Sequence, residues 1–169
     1  MRLYAVLLFL HVLAAMLWVG GMFLMHFAVR PALAAALPPA QRLPLLGDIL
    51  GRFFGWVTVL VLVVLATGLA MIVGIGAAAG AAAAGQNAFA EGMRLAHVSV
   101  HLMFVTGLAM TVIYAYIRLV PFARLRRALQ AQQFSEAAGR LDAIRRLVAT
   151  NLGLGVVTIG LATLGRAVL

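Results

Sequence analysis

The stretch Leu3-Tyr-Ala-Val-Leu-Leu-Phe-Leu-His11-Val-Leu-Ala-Ala-Met-Leu-Trp18-Val-Gly-Gly-Met22-Phe-Leu-Met25-His26-Phe-Ala-Val29 decides the fold, because it runs from residue 3 to residue 29 without an arginine, lysine or carboxylate. A bilayer's hydrocarbon core, about 30 Å thick, is crossed by roughly 20 consecutive apolar residues in a helix. Arg2 ahead of the run and Ala14 and Ala15 within it imitate a secretory signal. A signal's apolar segment is only about 7–15 residues long, whereas this one continues through Phe23 and Phe27 to Arg30 and Pro31. It is expected to be retained as a membrane span.

Three more runs match it, at 53–75, 95–117 and 147–164. The chain is 65% hydrophobic and 10% charged, with a mean hydropathy of +1.10, so it cannot cover itself with polar surface. The runs do not alternate apolar with polar residues, which argues against a transmembrane barrel. The expectation is an all-α transmembrane four-helix bundle forming a single integral membrane domain.

The formal net charge of +9 raises nucleic acid as a partner, and the placement of the charge argues against it. Arg30, Arg42 and Arg52 lie in or beside the first connection, and Arg118, Arg124, Arg126, Arg127, Arg140, Arg145 and Arg146 in or beside the third. Arg2, Arg94 and Arg166 remain for the opposite side. Basic connections stay in the cytoplasm, so both termini are expected outside it, in the periplasm of a bacterium. The arginines then serve as orientation signals and as contacts for membrane lipid. With no cysteine, disulfides, thiolate metal sites and c-type haem attachment are excluded.

Pro31, Pro38, Pro39 and Pro44 predict short turns on the membrane surface in the first connection. The alanine- and glycine-rich stretch 76–85 reads as a loose external connection. In 122–146, Leu125, Leu129, Leu141 and Ile144 among arginines predict a cytoplasmic helical hairpin, with Ser135 as an N-cap and the second arm running into the fourth span. Gly20, Gly21, Gly68, Gly107, Gly153, Gly155 and Gly160 are expected to let helices approach closely.

Chemistry is narrowed by absence. Asp48, Glu91, Glu136 and Asp142 are the only acids and all fall in connections or at their edges, and there is no lysine. No carboxylate pair lies within the membrane for acid–base work. Ser99, between His97 and His101, has no hydrolase motif around it. No catalytic residue is identified.

What remains is imidazole. His11, His97 and His101 fall in apolar runs, where a protonatable side chain usually faces the bundle interior and marks function. By helix rise, His11 and His101 both sit roughly 9–12 Å below the outer surface. His97 is one turn shallower than His101 on the same face. Two imidazoles on facing helices are what a six-coordinate haem iron requires, so His11 and His101 are the expected axial ligands of one b-type haem, with His97 as the other candidate. Trp18, Phe104 and Gly107 would flank the porphyrin, and Arg94 and Arg2 at the outer rim would meet its propionates. A copper reading stands beside it. Met22, Met25 and His26 occupy positions i, i+3 and i+4, and Met93, His97 and His101 form a similar stripe. Thioether sulfur suits Cu(I), and such a ladder would pass an ion across. Methionine stripes also serve as plain core packing.

At these residues a resemblance emerges. His11-Val-Leu-Ala-Ala-Met-Leu-Trp18-Val-Gly-Gly resembles the first helix of the copper-resistance D (CopD) family. Arg52-Phe-Phe with Ala66-Thr-Gly68, and Arg145-Arg-Leu-Val-Ala-Thr-Asn151-Leu-Gly, resemble its short, stand-alone members over nearly the whole chain. The resemblance implies copper handling across the inner membrane. The spacing from His11 to Trp18 is also similar to the HemJ-type protoporphyrinogen oxidases, small haem-binding membrane proteins whose pattern includes a third-helix lysine. Here that segment reads Arg94-Leu-Ala-His97-Val-Ser-Val-His101, without lysine. This departure counts against porphyrinogen oxidation and leaves haem binding through His11.

The leading expectation is therefore a CopD-like membrane protein binding haem b for electron transfer or membrane redox chemistry, with quinone or another redox protein as partner. Copper transport or resistance is the alternative, and a non-catalytic membrane subunit the third.

Overall fold

A computed structural model describes residues 2–80 and 87–168, with side chains to residue 165. The Arg166 side chain and residues 81–85 of the expected second connection lie outside the described residues. The described chain is helical: α1 (Arg2–Leu24), a π-helical turn (Met25–Val29), α2 (Arg30–Ala36), α3 (Pro39–Ala78), α4 (Ala88–Leu95), α5 (Val98–Leu119), α6 (Pro121–Gln130) and α7 (Phe134–Val168). Four helical segments, Arg2–Ala36, Pro39–Ala78, Val98–Gln130 and Phe134–Gly165, are long and apolar enough to cross a membrane.

The helices pack as two pairs. α1 lies along α3 and α5 along α7, and α7 touches both α1 and α3. The inward stripe of α1 is Ala14, Trp18, Met22 and Met25, at steps of three and four residues. The opposite face leaves Phe9, Met16, Phe23 and Phe27 exposed. In water such a surface would cost about 25 cal/mol per Å²; against acyl chains it costs nothing, so these faces contact lipid.

Glycine sets the approach at selected points. A methyl on Gly21 would stand 2.7 Å from the Phe53 ring, and one on Gly155 2.8 Å from Val19 and 3.3 Å from Met110. Gly20, Gly107, Gly153 and Gly160, expected to act likewise, face open space. The tightest crossing involves glycines not singled out for packing: a methyl on Gly76 would overlap the Ala88 carbonyl, and one on Gly92 the Ile72 carbonyl. Backbone therefore meets backbone where α4 crosses the end of α3. This corrects the loose connection expected from residue 76, since α3 stays helical through Ala78 and Gly76 is buried.

The basic end of the bundle also departs from expectation. In place of short surface turns, a single break at Leu37 and Pro38 separates α2 from α3. Pro31 and Pro39 sit at helix starts, where a missing N–H costs nothing. Pro44 is absorbed within α3. α6 and α7 form a helical hairpin, and α7 starts at Phe134, so Ser135 lies in its first turn instead of capping it. Leu46, Leu50 and Phe54 of α3, Phe122 and Leu125 of α6, and Leu141 and Ile144 of α7 form a core here, with Leu125 and Ile144 at 0% exposure. Gly47 admits Leu129 of α6.

Candidate metal-binding residues

His11 is turned toward α3. Its Nδ1 lies 2.9 Å from Thr67 Oγ1, which is also 2.6 Å from the Val63 carbonyl oxygen. A carbonyl brings no hydrogen, so the Thr67 hydroxyl proton goes to Val63 and Oγ1 accepts from His11 Nδ1–H. This assigns the tautomer with an unprotonated Nε2. A side-chain atom on Gly68 would come within 3.1 Å of the His11 ring, so the absence of one makes room for the imidazole. A histidine ligand usually has its second nitrogen held in this way.

The third-span histidines separate. α4 ends at Leu95, Ala96 and His97 have extended backbone, and α5 starts at Val98. His97 is thus the N-cap of α5 and not a residue within the span: its Nδ1 accepts the Ser99 backbone N–H at 3.3 Å. That bond places its ring proton on Nε2 and leaves neither nitrogen free for a metal. His101 Nδ1 donates to the His97 carbonyl at 3.2 Å, so His101, like His11, keeps Nε2 unprotonated. The break also corrects the stripe of Met93, His97 and His101, because positions i, i+4 and i+8 share a face only along one continuous helix.

Contacts between the expected haem ligands are missing. Among the described residues no hydrogen bond or ring contact links His11 to His101, and α1 and α5 do not pack extensively along each other. Arg94, expected to meet propionates, makes two hydrogen bonds to the Glu91 carboxylate at 2.8 and 2.6 Å. Those bonds hold the Glu91 carboxyl below the usual carboxylate range. Phe104 packs near Phe89, with ring centroids 6.3 Å apart. Trp18 is core: it meets Tyr114 edge-on at 6.3 Å, and the Tyr114 hydroxyl donates to the Phe54 carbonyl at 2.7 Å.

The first-helix methionines are inward. Met22 is 2% and Met25 6% exposed, against 62% for Met16. Asn151 of α7, 1% exposed, donates through Nδ2 to Met22 Sδ at 3.6 Å. Its Oδ1 is buried with no hydrogen-bond partner among the described residues. A buried oxygen without a donor is a rare feature that calls for water or a cation. His26, in the π-helical turn, lines a cavity at the basic end. π-Helical turns recur at functional sites. No group of three or more histidine or acidic residues suited to a metal occurs among the described residues, so any metal site must draw on thioether or amide donors. Thr67, Asn151 and Tyr114 had one visible signal: each is a polar residue inside an apolar run.

The chain matches the family described as Copper resistance protein D over residues 47–164. Searches of curated proteins and of solved structures returned no match. The matched region takes in most of α3 and continues into α7, and leaves out α1 with His11, Met22 and Met25. The likeness to HemJ-type enzymes rests on His11 and Trp18 alone. With the match spanning well over half of its length, the chain belongs to the copper resistance protein D (CopD) family of integral membrane proteins.

Proposed function

We propose that the protein handles copper as its cargo in a bacterial inner membrane, with Cu(I) taken by His11 near one face and by the thioethers of Met22 and Met25 toward the basic end. The observation that carries this reading is the alignment of His11, Met22 and Met25 on the side of α1 that turns into the bundle, away from the lipid-facing Met16. Thioether and imidazole are the donors that soft Cu(I) prefers. The unpartnered Asn151 oxygen beside Met22 adds an electron-rich group at the same level. Family membership points to the same metal. The basic end, holding most of the arginines, faces the cytoplasm on this reading, and the termini face the periplasm.

The test is Cu(I) binding by the detergent-solubilised protein, measured by competition with a chromophoric chelator, and copper movement in proteoliposomes. Met22→Leu with Met25→Leu preserves volume and removes both sulfurs, so fold stability should change by less than about 1.5 kcal/mol per site. Loss of binding and transport is expected, in this double variant and in His11→Ala. Undiminished binding in both would refute the copper reading.

Haem b is the second reading, favoured by the matching tautomers of His11 and His101. It predicts low-spin haem bands that disappear in either His11→Ala or His101→Ala. Such bands would displace copper as the cargo, and a colourless protein after haem-supplemented expression would remove haem.

A further inference from the structure

Ten arginines lie at the basic end, and most are accounted for individually. Arg118 stacks over the Phe122 ring at 5.2 Å, Arg140 pairs with Glu136, Arg146 pairs with Asp142, and Arg124, Arg126 and Arg127 are exposed to solvent. Three others converge. Arg30 at the start of α2, Arg42 in the first turn of α3 and Arg145 on α7 line one cavity of about 290 Å³, together with His26, Pro31 and Leu46. This is close to the lower end of ligand-pocket volumes, about 300 Å³.

Like charges repel, so their convergence needs a cause. Two of the three are held in place by backbone: Arg30 Nη2 donates to the Leu141 carbonyl at 3.2 Å, and Arg42 Nη1 to the Ala34 carbonyl at 3.5 Å. The charges acting on Arg30 are those of Arg145, Asp142 and Arg42. Asp142 is the one carboxylate among them, and it is already shared between Arg145 at 2.7 Å and Arg146 at 3.1 Å. The cavity therefore keeps an excess of positive charge, on guanidinium groups whose fork geometry suits an oxyanion. Basic pockets between membrane helices are suited to the phosphates of anionic lipids.

We propose that the cavity bounded by Arg30, Arg42, Arg145 and His26 is a binding site for a phosphate group, carried by an anionic phospholipid headgroup or by free phosphate. The site is independent of copper binding, because His11, Met22 and Met25 do not line it. A bound phosphate would join α2, α3 and α7 at one point and relieve the repulsion among the three arginines.

Native mass spectrometry of the detergent-solubilised full chain tests this, with phosphatidylglycerol, phosphatidylcholine or inorganic phosphate added separately. Wild type should retain phosphatidylglycerol over phosphatidylcholine if the source is lipid, and inorganic phosphate if the source is soluble. Arg42→Gln and Arg145→Gln should each weaken retention about tenfold or more, the usual effect of losing one charge-assisted hydrogen bond. Arg126→Gln, at the same end but outside the cavity, should leave it unchanged. Arg145→Gln keeps Asp142 paired through Arg146, and circular dichroism checks that each variant is folded. Retention of neither probe, equal retention of the two lipids without phosphate binding, or equal retention by wild type, Arg42→Gln and Arg145→Gln overturns the proposal.

Discussion

Replacing Thr67 with valine isolates one hydroxyl. Valine keeps the β-branch and nearly the same volume, so α3 keeps its shape; only the acceptor 2.9 Å from His11 Nδ1 is lost. The Val63 carbonyl retains its helical partner, and the loss falls on the imidazole. His11 must then leave Nδ1–H unsatisfied inside the bundle or move the proton to Nε2, the nitrogen proposed to bind copper. For stability the cost is small, about 0.6 kcal/mol for an average hydrogen bond between membrane helices. For metal binding it is larger, because losing the partner that orients a ligating histidine costs about 10–100-fold in affinity, or about 1.4–2.7 kcal/mol. Titration of Cu(I) against a chromophoric chelator should show this drop in Thr67→Val and its recovery in Thr67→Ser. If His11→Ala loses copper while Thr67→Val binds as wild type does, the tautomer argument is refuted and the copper reading survives. If His11→Ala also binds normally, His11 is not a ligand.

Two further outcomes follow from the fold. Gly92→Ala should lower thermal stability in detergent despite alanine's helix preference of about 1 kcal/mol, because the new methyl meets the unyielding Ile72 carbonyl and overpacking costs about 1–3 kcal/mol. Gly139→Ala, which faces open space in α7, should be neutral or stabilising, and a gain of stability in both variants would show that α4 does not pack on α3 as described. For orientation, a reporter active only in the cytoplasm should stay silent when fused after Leu169, and activity with an intact bundle would reverse the assignment of sides.

The sequence by itself determined the membrane character and the all-helical class. Both follow from one-dimensional quantities: the length of apolar runs and the need to satisfy every backbone hydrogen bond within a lipid-facing segment. The inward methionines were also legible as candidates, because Met22 and Met25 differ by three residues and so share a face. Which face turned inward was not legible, since every face of α1 is apolar and no polar side marks the lipid boundary. Only tertiary structure separated buried Met22 from exposed Met16. The histidines show the same limit. Residues 95–117 carry no proline or charged residue, so nothing in that run announced the break at Ala96 and His97. That break accompanies the crossing of α4 over α3 at Gly76 and Gly92, a contact between segments separate in the chain. Likewise the cavity of Arg30, Arg42 and Arg145 draws on three separate helices. Hydropathy and spacing act along the chain, whereas tautomers, orphaned oxygens and converging charges depend on which helices become neighbours.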